Sequence, residues 1–254
     1  MRVFITGASS GIGAALARRY AASGATLGLV ARRSEALEAL VAALPSPPAG
    51  AHRIYPLDVT DTARLRAAAE DFIAEGVPEV VVANAGISIG ILTEYAEDVP
   101  VFKRIVETNL VATLATFQPF VRPMKDLALA RLVGIASVAG VRGLPGSGAY
   151  SASKAAVIAY CESLRVELRN TPIRVVTIVP GFIATPMTER NPYGMPFLMP
   201  VDDFAERVVK AIETGKSYAV IPWQMGMVAK LLRLCPNALY DRVFSKAKHK
   251  PRQL

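Results

Sequence analysis

Cysteine is almost missing from this chain: only Cys161 and Cys235 occur among 254 residues. No disulfide framework is expected, and a reducing, cytoplasmic setting fits that usage. Histidine is equally scarce, with His52 and His249 alone, so no metal site is expected. No uninterrupted apolar run reaches the roughly 18 residues of a spanning helix. With an apolar strand read from residue 2, no signal peptide is expected. Internal repeats and low-complexity segments are lacking. So are helix-turn-helix, zinc-finger and aromatic-basic RNA signatures, and no nucleic-acid partner is expected. The net charge of +8, from 29 basic and 21 acidic residues, instead suits anionic ligands or surfaces. Part of that charge lies near the end, at Arg242, Lys246, Lys248, Lys250 and Arg252, which read as a frayed, solvated tail.

What the chain has is alternation. Strand-like apolar runs at 3–6, 26–31, 53–57, 80–83, 132–136, 174–179 and 218–221 are separated by helix-like segments. Those segments fall at 12–22, 34–44, 61–75, 101–118, 151–169 and 202–214. This order predicts an α/β fold: a doubly wound parallel sheet of about seven strands with helices on both faces. "PSPPAG" at 45–50 reads as a loop, so residues 1–254 are expected to form a single domain. A composition that is 52% hydrophobic supplies the core for it. In such sheets ligands bind at the carboxyl ends of the strands.

The strand ends carry the chemistry. "TGASSGIG" at 6–13 follows the first strand, and Gly7, Gly11 and Gly13 remove Cβ atoms where the chain turns into a helix. The N–H groups at that helix start suit a phosphate. After the second strand, "ARRSE" offers Arg32 and Arg33 where an NAD-selecting enzyme carries an acid. A guanidinium there favours a 2′-phosphate, hence NADP over NAD. Asp58 in "DVTD" reads as an adenine contact or a turn residue, with Asp61 as the cap of the next helix. Gly86 in "NAG" at 84–86 allows close approach to a cofactor. Tyr150 and Lys154 share a helix face, where the cation is expected to lower the phenol pKa for proton transfer. Ser137 ends the fifth strand and reads as a second hydrogen-bond donor to the same substrate oxygen.

These motifs together resemble the short-chain dehydrogenase/reductase family over nearly the whole chain. The resemblance implies a Rossmann-type fold and hydride exchange between a nicotinamide and a carbonyl carbon. It makes Tyr150 the proton donor or acceptor. Lys154 would hold the nicotinamide ribose and tune Tyr150. Ser137 would orient the carbonyl, and Asn109 would position Lys154 and a relay water. The implied cofactor contacts include Gly7, Ser9, Ser10, Gly11, Ile12 and Gly13 at the first turn. Arg32, Arg33, Asp58 and Val59 would face the adenosine, with Asn84, Ala85 and Gly86 beyond them. Tyr150, Lys154, Pro180, Gly181, Ile183 and Thr185 would complete the nicotinamide side. Many NADP-using members have a basic residue where this chain has Ser10.

The substrate expected is a bulky hydrophobic, lipid-like ketone or alcohol. It would be covered by an apolar lid at 182–200 that includes Phe182, Met187, Met195, Phe197, Leu198 and Met199. The helices at 101–118 and 151–169 resemble the family's dimer pair, and Val157, Cys161, Leu164 and Leu168 mark a buried face. A homodimer or homotetramer is therefore expected. At 223–236 an unusually wide apolar arc predicts a helix ended by Pro236, with a second helix at 237–244 capped by Asn237. This C-terminal extension, 223–254, reads either as a packing element or as a peripheral membrane contact aided by Lys246, Lys248, Lys250 and Arg252. Two rival functions remain. "GISIG" at 86–90 formally fits a hydrolase elbow with Ser88, His249 and one of Asp202, Asp203 or Asp241. A non-catalytic NADP-binding sensor would keep the fold without needing Asn109, Ser137, Tyr150 and Lys154.

Overall fold

A computed structural model describes residues 1–48, 50–189, 191–245 and 250–252. Seven parallel strands form one sheet in the order β3-β2-β1-β4-β5-β6-β7. They are β1 (Arg2–Thr6), β2 (Thr26–Ala31), β3 (Arg53–Pro56), β4 (Val80–Ala83), β5 (Ala130–Ile135), β6 (Ile173–Pro180) and β7 (Tyr218–Ile221). The order reverses between β1 and β4, and a crevice opens there at the strand ends.

Side-chain alternation along each strand feeds two cores. Val3 and Ile5 face one side, with Leu16 and Tyr20 of α1 (Gly11–Ala22), Leu37 of α2 (Ser34–Ala42) and Phe204 and Ile212 of α8 (Val201–Glu213). Phe4 faces the other, with Phe72 of α3 (Thr62–Ala74), Phe117 and Phe120 of α5 (Ala112–Met124) and Cys161 of α6 (Gly148–Glu167). Each such buried apolar side chain contributes about 1.5–3 kcal/mol. Asp61 caps α3 as expected, accepting from the Arg64 N–H at 3.0 Å.

The helix read at 101–118 is longer and less regular. It comprises α4 (Asp98–Val106), a wide turn at Glu107–Val111 with π geometry, and α5, which continues through Pro119 and Pro123. Proline inside a helix costs about 3 kcal/mol. Burial of Phe117, Phe120 and Met124 on this helix outweighs that cost.

Val157, Cys161, Leu164 and Leu168 are buried, but against their own sheet beside Leu132 and Val175. The expected face is therefore core and not a subunit interface. The exposed large hydrophobic residues of these helices are Val99, Phe102, Leu114 and Val166.

The C-terminal extension comprises α9 (Trp223–Leu234) and α10 (Asn237–Phe244). Asn237 is the first residue of α10 and not its cap, because its Oδ1 accepts from Arg142 Nη2 at 3.0 Å. Arg142 also donates to the carbonyls of Leu232 and Cys235 and stacks 3.9 Å above the Tyr240 ring. Met225 and Ala229 bury the narrow inner face of α9, whereas Trp223, Met227, Leu231 and Leu234 stay exposed.

Candidate active site

The crevice is a cavity of about 780 Å³ at the carboxyl ends of the strands. That volume lies within the range of small-molecule and cofactor sites. Every expected site residue lines it except Gly13 and Asn109.

At one end, Gly7 and Gly11 adopt φ of +69° and +53°. A Cβ on Gly7 would stand 2.8 Å from Ala85 Cα, and one on Gly13 would overlap the Gly7 carbonyl. Gly13 is thus needed for packing behind the turn. Ser10, the residue before α1, makes no side-chain cap bond. The first N–H groups of α1 have no acceptor within the helix and line a cavity, which is the geometry of a phosphate cradle. Asn84 is a strut for this turn: Nδ2 donates to the carbonyls of Thr6 and Gly7 at 3.0 and 3.2 Å.

Arg32 is exposed beside Asp58, at 3.8 Å, and Arg33 Nη2 reaches Ser9 Oγ at 3.3 Å. Asp58 forms a turn, with Oδ1 accepting from the Thr60 N–H at 3.0 Å and its hydroxyl at 2.9 Å. Burial raises its pKa, but the Thr60 bonds and the Arg32 charge outweigh this and leave it below the ordinary value. Both arginines can meet a 2′-phosphate, and the cradle fits a dinucleotide.

At the other end, β5 delivers Ser137 and the start of α6 delivers Tyr150 and Lys154. Ser137 Oγ accepts from the Ala139 N–H at 3.2 Å, and the Ser137 hydroxyl is hydrogen-bonded to the Tyr150 phenol. Burial raises the Tyr150 pKa; the Ser137 bond opposes it and Tyr193 adds to it. The expected lowering by Lys154 is not found. Lys154 Nζ stands 5.9 Å from the ring centroid, and burial depresses its own pKa to about 8. The lysine is therefore a weakened cation beside a phenol that keeps its proton.

Asn109 is fully buried behind this wall, on the wide turn between α4 and α5. Its amide accepts from the Ile87 N–H at 2.8 Å and donates to the Ile87 carbonyl and to Ser153 Oγ, both at 3.0 Å. Ser153 in turn donates to the Tyr150 carbonyl at 2.8 Å. Asn109 thus reaches the helix through Ser153, which "YSASK" gave no reason to single out.

Of the segment 182–200 read as a lid, residues 183 and 185–188 line the cavity, the last three on the short helix α7 (Pro186–Glu189), and of the six apolar residues named for the lid Met187 alone is among them. Phe182 packs on Tyr193 at 6.3 Å, and Met199 is buried and pinned by backbone bonds to Phe182 and Ala184. Phe197 and Leu198 face outward.

The tail reading changes too. Lys246, Lys248 and His249 lie outside the described residues. Lys250 and Arg252 are not frayed: Lys250 and Pro251 line the cavity, and Arg252 pairs with buried Asp98. Ser88 accepts from Lys250 Nζ at 3.0 Å, on a loop and not on a strand-to-helix elbow. Arg104 and Thr108, one turn apart, also line the cavity without having been expected.

Comparison with known proteins agrees with this architecture. Residues 1–194 match the short chain dehydrogenase family. An uncharacterized oxidoreductase of Myxococcus xanthus is 38% identical over 243 residues, covering 93% of each chain. An 11-beta-hydroxysteroid dehydrogenase-like protein of Arabidopsis thaliana is 31% identical over 252 residues, covering 95% of this chain and 81% of its own. The crystal structure of levodione reductase superposes with a TM-score of 0.78 at 27% identity, covering 89% of this chain and 97% of the other. The chain belongs to the short-chain dehydrogenase/reductase family. It is an oxidoreductase of the class that acts on CH–OH and C=O groups and takes a nicotinamide cofactor.

Proposed function

We propose that this protein interconverts a ketone and a secondary alcohol with NADP(H). The observation that carries the proposal is the meeting of Ser137, Tyr150 and Lys154 on the wall of a cavity whose far end is a glycine cradle flanked by Arg32 and Arg33. The nicotinamide supplies the hydride. Ser137 orients the carbonyl by donating to its oxygen. Tyr150 gives that oxygen a proton during reduction and takes it back during oxidation. Lys154 holds the ribose and places a positive charge near the phenol. Asn109, through Ser153, fixes the first turn of α6 and so the aim of Tyr150. Ser10, Gly11 and Ile12 receive the pyrophosphate, and Arg32 and Arg33 the 2′-phosphate.

The substrate is bulky and largely apolar. Ile87, Ile89, Ile183 and Met187 supply apolar walls, and one relative is named for a hydroxysteroid and one solved neighbour for a dione. The chain acts as one Rossmann-type domain with a C-terminal helical extension, in a reducing cytoplasmic setting. It pairs as a homodimer or homotetramer through the exposed sides of α4, α5 and α6. No described helix is long and apolar enough to cross a membrane. The exposed faces of α9 and α10, with Trp223, Leu231, Leu234 and Val243, suit a peripheral membrane contact. A screen of graded ketones with NADPH and NADH tests the whole proposal. Faster NADPH oxidation with bulky ketones supports it, and no turnover of any ketone with either cofactor overturns it.

A further inference from the structure

Residues 250–252 are pinned against the loop that joins β4 to α4. Arg252 forms an isolated parallel bridge with Gly90, and a Cβ on Gly90 would overlap the Lys250 carbonyl. The two backbones are in contact here, and only a glycine leaves room for that. The Arg252 guanidinium clasps Asp98, with Nε–Oδ2 at 2.8 Å and Nη2–Oδ1 at 3.1 Å. It also lies over the Tyr95 ring, 3.5 Å from the centroid. Asp98 is buried, and its Oδ2 accepts from the Leu92 N–H at 2.7 Å as well. One carboxylate therefore ties the loop and the segment together. Bidentate pairing of this kind restricts geometry as well as adding energy. Loss of the guanidinium would leave a buried charge unpaired, so the segment and the loop would have to move apart or admit water.

What the clasp positions is cavity wall. Lys250 and Pro251, the two residues before Arg252, line the cavity together with Ser88, Ile89 and Gly90, whereas Arg252 and Asp98 stand behind it. The wall belongs to the reaction end. The Ile91 N–H donates to the Gly146 carbonyl at 3.0 Å, and Ile91 packs on Ala149, the neighbour of Tyr150. A Cβ on Gly86, two residues before Ser88, would lie 3.4 Å from Lys154 Nζ. The glycine cradle and Arg32 lie at the other end.

We infer that Arg252 and Asp98 are positioning residues that set the size of substrate the cavity takes, by holding Lys250 and Pro251 as a fixed wall at its reaction end. The inference rests on the ketone–alcohol chemistry proposed above and narrows its substrate to a ketone whose apolar body is compact and ends at this wall. A long unbranched chain on the same carbonyl meets backbone that the bridge and the clasp both hold in place.

The test compares propiophenone with octanophenone, which share a reacting carbonyl and differ in chain length, using NADPH and the full chain. The parent should favour propiophenone in kcat/KM. Arg252→Ala should raise the octanophenone-to-propiophenone ratio by about tenfold, the lower end of what pocket size achieves in choosing between substrates. The change should lie in the KM for octanophenone. Asp98→Asn keeps an acceptor for the Leu92 N–H but loses the charge, and should raise the ratio in the same direction. The double variant should add little to either single change, because both break one pair. Arg252→Lys, which keeps the charge but not the fork, should give an intermediate ratio, and it reads the clasp even where the alanine variant fails to fold. A parent that favours octanophenone, or variants that lose both activities equally, overturn the inference while leaving ketone reduction intact. A rise in the KM for NADPH with an unchanged ketone ratio assigns the wall to the cofactor and overturns it too. Turnover of neither compound, nor of any ketone in the broader screen, overturns the ketone chemistry and this refinement with it.

Discussion

Lys154 Nζ donates to the carbonyl oxygen of Ile135 at 2.7 Å, two residues before Ser137 on the same strand exit. The bond ties α6 to the end of β5, so Tyr150 and Ser137 are held in one frame. It also keeps the ammonium in a buried place, where loss of water weakens its hold on the proton.

That burial has a consequence for pH. Lys154 is charged below about 8 and neutral above, because its pKa is lowered. Tyr150 is shifted upward and keeps its proton over the same range. With the proton donor present throughout, kcat/KM for ketone reduction should fall as pH rises through about 8. In Lys154→Arg the descending limb should move beyond about pH 10, whatever the loss in absolute rate, because a guanidinium keeps its proton. A steady-state pH profile checks this; a flat parent profile between about pH 7 and 9.5 contradicts it.

The proposed NADP preference places cofactor choice at the exit of β2. Arg32→Asp removes a charged partner of the 2′-phosphate and adds repulsion. The NADPH-to-NADH ratio of kcat/KM should fall by about tenfold to a hundredfold, from roughly 1.5–3 kcal/mol of charged hydrogen bonding. Arg33→Ala should have the smaller effect, since Arg33 already reaches Ser9. A parent that prefers NADH in steady-state kinetics refutes the assignment.

Assembly can be tested on the outward faces of α4, α5 and α6. Light scattering at micromolar concentration should give at least a dimer. A Leu114→Glu, Val166→Glu pair should shift it toward monomer, since both side chains are exposed on the single chain. A monomeric parent rejects the interface.

Packing between β5 and α6 gives a stability test. A Cβ at Gly134 would lie 2.5 Å from Cys161 Sγ. Gly134→Ala should destabilise by about 1–3 kcal/mol in urea unfolding. Cys161→Ala removes the clashing sulfur, so the double variant should recover part of the loss. Strict additivity would show that the clash is relieved elsewhere. Cys161 should also resist alkylation in the folded protein, since burial raises its thiol pKa to about 11.

The sheet was legible in the sequence because buried parallel strands read as short apolar runs, and all seven fall where expected. The glycine turn and the Ser137, Tyr150 and Lys154 positions were legible because each sits at a strand exit or helix start. What failed depended on distant contacts. α5 passes Pro119 because its aromatic face is buried, and no local propensity reveals that. Val157 and Cys161 showed a buried face, but periodicity does not say what covers it. Lys250 and Arg252 read as a solvated tail because their partners, Ser88 and Asp98, lie more than 150 residues earlier. The wide apolar arc of α9 was legible, and its outer side is exposed on the single chain, which both the partner-packing and the membrane readings allow.

Tyr150→Phe tests the central claim most directly, because it keeps the ring and removes only the proton. NADPH oxidation with the best ketone from the screen should fall by about a thousandfold, the size of a lost general acid. NADPH binding, measured by calorimetry, should stay within about threefold of the parent, or roughly 0.7 kcal/mol. Turnover within about tenfold of the parent would contradict Tyr150 as the proton donor.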